Sequence, residues 1–261
     1  VGCDGYVTKT FYLNVKEQLY YDLGYIALLP NKIDVSGLVL DSLSGKCVEG
    51  VTLYLRKRYG KPDGEAIVEV KTDKDGFYEM EDLPVGEYRI QMVDEREDVE
   101  NPYETQSFDI KIVGEQEEEE HNFCLNRSEY KREFNGNTYQ LYGVQMLWMD
   151  AEKFCEELGG HLVCIGSPKE NEFLAQWLKE EGMDYACIGF TDRETEGAWK
   201  WVYGGDIGLF TNWNGGEPNN GLTLYLYQNY AYIYDSGTWD DGDDFYTHPF
   251  FCEWENEEEE E

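Results

Sequence analysis

The sequence predicts two domains in tandem, an all-β sandwich followed by an α+β domain. Three observations carry this. The chain has 261 residues, 41% of them hydrophobic and 15% aromatic, which is enough for two cores at about 100–200 residues per domain. Its first half repeatedly alternates apolar and polar positions, the period of half-buried strands. The stretch after about residue 145 carries apolar residues at helical spacing, and then turns rich in Gly, Trp, Tyr, Asn and Asp.

The opening residues resemble a later part of the same chain. Tyr6, Thr8, Phe11, Leu13 and Val15 line up with Tyr103, Thr105, Phe108, Ile110 and Ile112. Since the later copy closes a module, residues 1–31 are expected to be the last strands of a preceding β-sandwich repeat. The intact unit spans 32–126. Val35, Gly37 and Val39 alternate, as do Val51, Leu53 and Leu55, and then Tyr88, Ile90 and Met92. Turn chemistry separates these strands: Glu49-Gly50, then Asp73-Lys74-Asp75-Gly76 with a carboxylate to cap its own turn, then Pro84 and Gly86. The order Val35-Ser36-Gly37-Leu38-Val39, Val48-Glu49-Gly50-Val51, Thr72-Asp73-Lys74-Asp75-Gly76-Phe77-Tyr78 and Leu83-Pro84-Val85-Gly86 resembles the carboxypeptidase regulatory-like, transthyretin-like β-sandwich family. That resemblance implies a spacer module.

The second domain is expected over 127–255, with an acidic disordered tail at 256–261. Ala151, Phe154, Cys155 and Leu158 predict a first helix from Met149 to Leu158, ended by Gly159-Gly160. Ser167-Pro168-Lys169-Glu170 is a capping box with Pro at the first helical position; Phe173, Leu174, Trp177 and Leu178 form the stripe of a second helix that stops at Gly182. Short strands and a long ordered loop follow. Here Cys155 to Leu162, Ile188-Gly189-Phe190-Thr191-Asp192, Trp213, Glu217-Pro218-Asn219, Trp239-Asp240-Asp241 and Phe251-Cys252-Glu253 occur in the order of the C-type lectin-like domain, which this segment closely resembles.

The resemblance implies a Ca2+ site on Glu217, Asn219, Gln228, Asp240 and Asp241, with Glu217-Pro218 in cis. It implies an auxiliary site on Asp192, Glu196, Asn220 and Asn229, and a disulfide between Cys155 and Cys252. Calcium takes about six to eight oxygen ligands, so clusters of carboxylates and amides suit it. Gln228 stands where the family usually has an acid, and Asp240 where it usually has an asparagine, so one carboxylate is lost and one gained. The Glu-Pro-Asn order implies a mannose-, glucose- or fucose-type glycan. The alternative partner is a protein receptor, gripped without sugar by the tyrosines at 225, 227, 230, 232 and 234, which alternate as on one strand face.

Charge narrows the partners further. The chain carries 55 Asp and Glu against 21 Lys and Arg, a formal charge of −34, and has no Lys or Arg beyond Lys200. Such a polyanion repels nucleic acid and anionic lipid. No apolar run approaches the roughly 20 residues of a membrane span. The three histidines, His121, His161 and His248, show no zinc spacing, and no nucleophile elbow or phosphate loop is present, so an enzyme is not expected. Seven cysteines leave at least one free or paired with another chain. Cys164 and Cys187 read as small buried hydrophobes, and the states of Cys3, Cys47 and Cys124 stay open. The reading is a secreted or cell-surface binding protein.

Overall fold

The computed structural model describes residues 32–59, 65–97, 99, 101–113, 118–204, 210–221, 228–243 and 245–255. The upstream repeat at 1–31, the tyrosines 225 and 227, Cys3 and the tail at 256–261 lie outside the described residues. The chain divides into two compact units, one reaching Leu125 and the other continuing from Asn126, with residues 42–45 counted in the second.

The first unit is a sandwich of two four-stranded sheets. Its strands are β1 (Ile33–Asp41), β2 (Thr52–Lys57), β3 (Val68–Lys71), β4 (Phe77–Leu83), β5 (Gly86–Val93), β6 (Gln106–Ile112), β7 (Glu118–Glu120) and β8 (Phe123–Leu125). One sheet runs β4-β1-β7 with β8 also on β1, and the other runs β3-β2-β5-β6. Strict alternation of buried and half-buried residues along β1 puts Ile33, Val35 and Val39 into a core shared with Leu53, Leu55, Tyr88, Ile90 and Met92, as the two-residue period requires. The turn before β4 forms as the sequence predicts. Asp73 Oδ1 accepts from the amides of Asp75 (2.9 Å) and Phe77 (2.9 Å), so this carboxylate is committed to the turn. Gly76 takes a φ of 73°, and a Cβ there would lie 2.8 Å from the Val39 carbonyl oxygen.

The second unit is an eight-stranded mixed sheet with two helices. Strand β9 (Lys131–Phe134) forms a hairpin with β10 (Asn137–Met146), and helix α1 (Trp148–Glu157), strand β11 (His161–Leu162) and helix α2 (Pro168–Glu181) follow. Then come β12 (Tyr185–Thr191), β13 (Lys200–Trp201), β14 (Tyr230–Tyr234), β15 (Trp239–Gly242) and β16 (His248–Trp254). The sheet order is β15-β14-β12-β16-β10-β9, with β11 on β16 and β13 on β12.

Helix α1 sits one residue earlier than its apolar spacing suggests, because Trp148 is part of its buried face and donates from Nε1 to the Ile188 carbonyl at 2.9 Å. Helix α2 starts and stops where its punctuation says. Ser167 Oγ accepts from the Glu170 amide, Pro168 opens the first turn, and Gly182 closes it in the left-handed region. Leu174, Trp177 and Leu178 are buried.

The disulfide implied for Cys155 and Cys252 is not present: both are free thiols. They are fully buried, and burial followed by a hydrogen bond that the Cys155 thiol donates to Cys252 pushes the Cys155 thiol well above its ordinary value. Packing joins α1 to β16 instead. Phe250 stacks on Tyr142 with ring centroids 4.9 Å apart and meets the edge of Phe154 at 5.7 Å. Cys164 and Cys187 are buried free thiols, as their apolar context suggests; Cys47 is an exposed free thiol and Cys124 a buried one.

Trp239 ties α2 to the sheet edge. Its Nε1 donates to Asn171 Oδ1 at 2.6 Å, while Asn171 Nδ2 donates to the Gly237 carbonyl at 2.8 Å. Its main chain is held on both sides, accepting from the Asn214 amide at 2.7 Å and donating to the Asn212 carbonyl at 2.8 Å. Asn171→Ala strands the buried Trp239 indole N–H, whereas the Gly237 carbonyl keeps the Asn212 Nδ2 donor at 2.7 Å. It is expected to cost about 1–3 kcal/mol in urea unfolding, the cost of one orphaned buried donor.

Candidate functional site

The Trp239 anchor places the next two residues of β15 opposite the loop that carries Glu217. Carboxylate oxygens of Glu217, Asp240 and Asp241 all lie within 4.8 Å of one another. The loop is built to bring Glu217 there. Asn214 Oδ1 accepts from the Gly215 amide at 2.9 Å, its carbonyl accepts from the Glu217 amide at 3.0 Å to close a turn, and the Glu217-Pro218 bond is cis.

Asp241 is 3% exposed and does more than contribute charge. Its Oδ1 accepts from the Asn219 amide at 2.9 Å and its Oδ2 from the Asn220 amide at 2.7 Å. It therefore folds the loop as well as facing the cluster, a role that the sequence pattern does not show. Asn219 Oδ1 in turn accepts from the Gly221 amide at 2.8 Å. Gln228 Nε2 donates to the Asp241 carbonyl at 2.9 Å, and the Gln228 amide donates to Asn220 Oδ1 at 2.9 Å.

Two oxygens at the centre are left over. Glu217 Oε2 and Gln228 Oε1 are buried and accept no hydrogen bond among the described residues. A buried acceptor in that position costs about 1–3 kcal/mol unless another group satisfies it. Burial, a hydrogen bond with Asp241 and the charge of Asp240 push the Glu217 carboxyl above its ordinary range, against a smaller opposing effect from Asn219. Crowded acids with orphaned oxygens and no His or Cys in the group are the donor set of a hard divalent cation, and Ca2+ fits it.

The auxiliary residues are only partly drawn together. Asp192 is 2% exposed, its amide donates to the Asn229 carbonyl at 3.2 Å, and its Oδ2 accepts from the Gly197 amide at 2.7 Å. Its Oδ1 is buried and accepts nothing among the described residues. Asn220 is committed to Gln228 through its side-chain oxygen, and Glu196 is exposed.

A groove of about 320 Å³ opens beside the cluster, sharing Gln228, Asp240 and Asp241 with it. Its other walls are Tyr185 from β12, Tyr232 and Tyr234 from β14, and Asp243, Tyr246 and His248 from the last connection and β16. The tyrosine alternation does mark β14, but Tyr230 and Tyr232 are buried, Tyr230 stacking on Trp148 at 4.5 Å. Tyr234 donates to Asp240 Oδ2 at 3.1 Å. Tyr185 and His248 carry no local sequence signal, because each reaches the groove from a separate strand.

A lectin-type loop on this mixed sheet defines the class, and the chain belongs to the C-type lectin family. Residues 144–254 match the lectin C-type domain, and residues 35–122 match the prealbumin-like fold domain. Neither match is to a family described as enzymatic. Hepatic lectin of Gallus gallus is 34% identical over 153 residues, covering 55% of this chain and 71% of that protein. CD209 antigen-like protein C of Mus musculus is 43% identical over 90 residues, covering 33% of this chain and 49% of that protein. The human scavenger receptor C-type lectin carbohydrate-recognition domain aligns over 49% of this chain and 97% of its own, with 28% identity and a TM-score of 0.46.

The raised Glu217 carboxyl has a definite stability signature in the metal-free protein. Its contribution is fully present below the ordinary value of 4.5 and is lost as pH rises through the raised folded value. Without calcium, Glu217→Gln is therefore expected to unfold at a higher temperature than the native sequence at neutral pH. The difference should shrink towards pH 4, as measured by calorimetric melts across that range.

Proposed function

We propose that this protein is a calcium-dependent carbohydrate-binding lectin for a mannose-, glucose- or fucose-type glycan. In this reading residues 127–255 form the binding head and residues 32–126 a β-sandwich spacer, in a secreted or cell-surface setting. The observation that carries the reading is the pair of orphaned oxygens, Glu217 Oε2 and Gln228 Oε1, beside three mutually close carboxylates.

Glu217, Asn219, Gln228, Asp240 and Asp241 would hold the ion. A bound Ca2+ supplies coordination positions for two neighbouring sugar hydroxyls. Glu217 accepts from those hydroxyls and Asn219 donates to them, which fixes the orientation of the ring. Gln228 keeps its amide oxygen for the ion because its Nε2 is spent on the Asp241 carbonyl. Asp240 restores the carboxylate that Gln228 lacks. A second cation position on Asp192, with Glu196, Asn220 and Asn229, is supported by the unpaired Asp192 Oδ1.

A second reading, a sugar-independent protein-binding adhesin, is favoured by Phe245 and Tyr246, which are 66% and 69% exposed beside the groove. The two readings separate in one experiment. Calorimetry should show calcium binding, and a glycan array should show binding that EGTA reverses. Glu217→Gln should lower that sugar affinity at least about tenfold, the loss of a charged hydrogen-bond partner being worth about 1.5–3 kcal/mol. No binding on the glycan array, with or without calcium, favours the adhesin.

A further inference from the structure

The groove beside the carboxylate cluster has a chemistry that sugar coordination does not require. Tyr185 packs its ring against Tyr232 at 6.2 Å, Tyr234 at 5.9 Å and His248 at 5.4 Å, all at steep angles between 63° and 88°. The phenol groups are occupied: Tyr232 donates to the Asp243 carbonyl at 2.8 Å, Tyr234 donates to Asp240, and Tyr185 lies 3.3 Å from His248 Nδ1. Aromatic ring surface and carboxylate oxygen are what remain for a ligand.

Among the described residues no Lys or Arg lines this groove, and the sequence has none after Lys200. Burial holds His248 below its ordinary value, partly opposed by Asp243, so it supplies no fixed cation at neutral pH. A dication on Glu217, Asp240 and Asp241 would still leave that group one negative charge in excess, and Asp243 adds another. Aromatic walls with surplus negative charge favour a positively charged organic group through cation–π attraction. The volume lies at the small end of the roughly 300–1,000 Å³ of ligand pockets.

We propose that this groove is a subsite for an alkylammonium group, bounded by Tyr185, Tyr232, Tyr234 and Tyr246 and charged by Asp240 and Asp243. The group could arrive on a small cation or as the amine of an amino sugar, and both share the chemistry that the walls recognise. This subsite shares Asp240 with the proposed calcium site, but its aromatic walls and Asp243 are not among the proposed ligands of the ion.

The test is calorimetric titration of the full chain, with calcium and with EGTA, using choline, its uncharged tert-butyl isostere, glucosamine and N-acetylglucosamine. At least one charged compound is expected to bind about tenfold tighter than its uncharged counterpart, in EGTA as well as in calcium. Choline as the tighter ligand identifies a small cation, and glucosamine as the tighter identifies an amino sugar. Tyr246→Ala, at an exposed position, and Asp243→Asn should each weaken that binding several-fold while calcium affinity is retained. Equal affinities for charged and uncharged partners, or unchanged binding in both variants, would overturn the proposal. Failure of calcium binding with ammonium binding intact would count only against the lectin reading.

Discussion

The binding end of the second unit depends on the hydrogen bond from Trp239 to Asn171. Trp239 is fully buried and meets Phe190, Trp201, Phe210 and Trp213, with centroids between 5.7 and 5.9 Å. Its indole N–H needs a partner in that apolar setting, and helix α2 supplies one. The same asparagine then holds Gly237, so one side chain fixes both ends of the turn that leads into β15. Backbone bonds from Asn212 and Asn214 to Trp239 carry this order into the loop ahead of Glu217. A buried aromatic thus sets the position of three acids, of which Glu217 and Asp240 are partly exposed and Asp241 is buried.

That anchoring is needed because the acids repel each other. Three carboxylates within 4.8 Å would spread apart on a compliant loop. Here each is restrained by something outside the cluster: Glu217 through the Asn214 turn, Asp241 through two backbone amides, and Asp240 through the Tyr234 hydroxyl. Burial, a hydrogen bond with Asp241 and then repulsion from Asp240 raise the Glu217 carboxyl, and the crowding is relieved by a proton or a cation. Close packing elsewhere supports the same frame. A Cβ at Gly189 would sit 2.6 Å from the Leu162 carbonyl oxygen, so only glycine lets β12 approach that closely.

Much of this was legible from residue order, for reasons that differ by element. The second helix announced itself because its cap, its N-terminal proline and its terminal glycine are local chemistry. The sandwich strands announced themselves through a two-residue period set by burial on one face. Glu217, Asp240 and Asp241 were legible because a resemblance supplied their pairing, although residues between them belong to other elements. What stayed hidden was tertiary. Asp241 reads as a ligand, yet its two oxygens also close the loop. Tyr185 and His248 meet from β12 and β16, with no local pattern to connect them. The cysteine pairing that the resemblance implies is not formed in the structure, where Cys155 and Cys252 are buried, hydrogen-bonded thiols.

The central claim is that an aromatic anchor holds a set of oxygens ready for calcium. Diffraction from crystals grown with excess calcium tests it most directly. The account predicts an ion touching Glu217, Asp240, Asp241 and the Gln228 side-chain oxygen, with the Trp239–Asn171 bond unchanged. An ion-free cluster in crystals that hold calcium elsewhere, or a sugar bound away from these four residues, would contradict it.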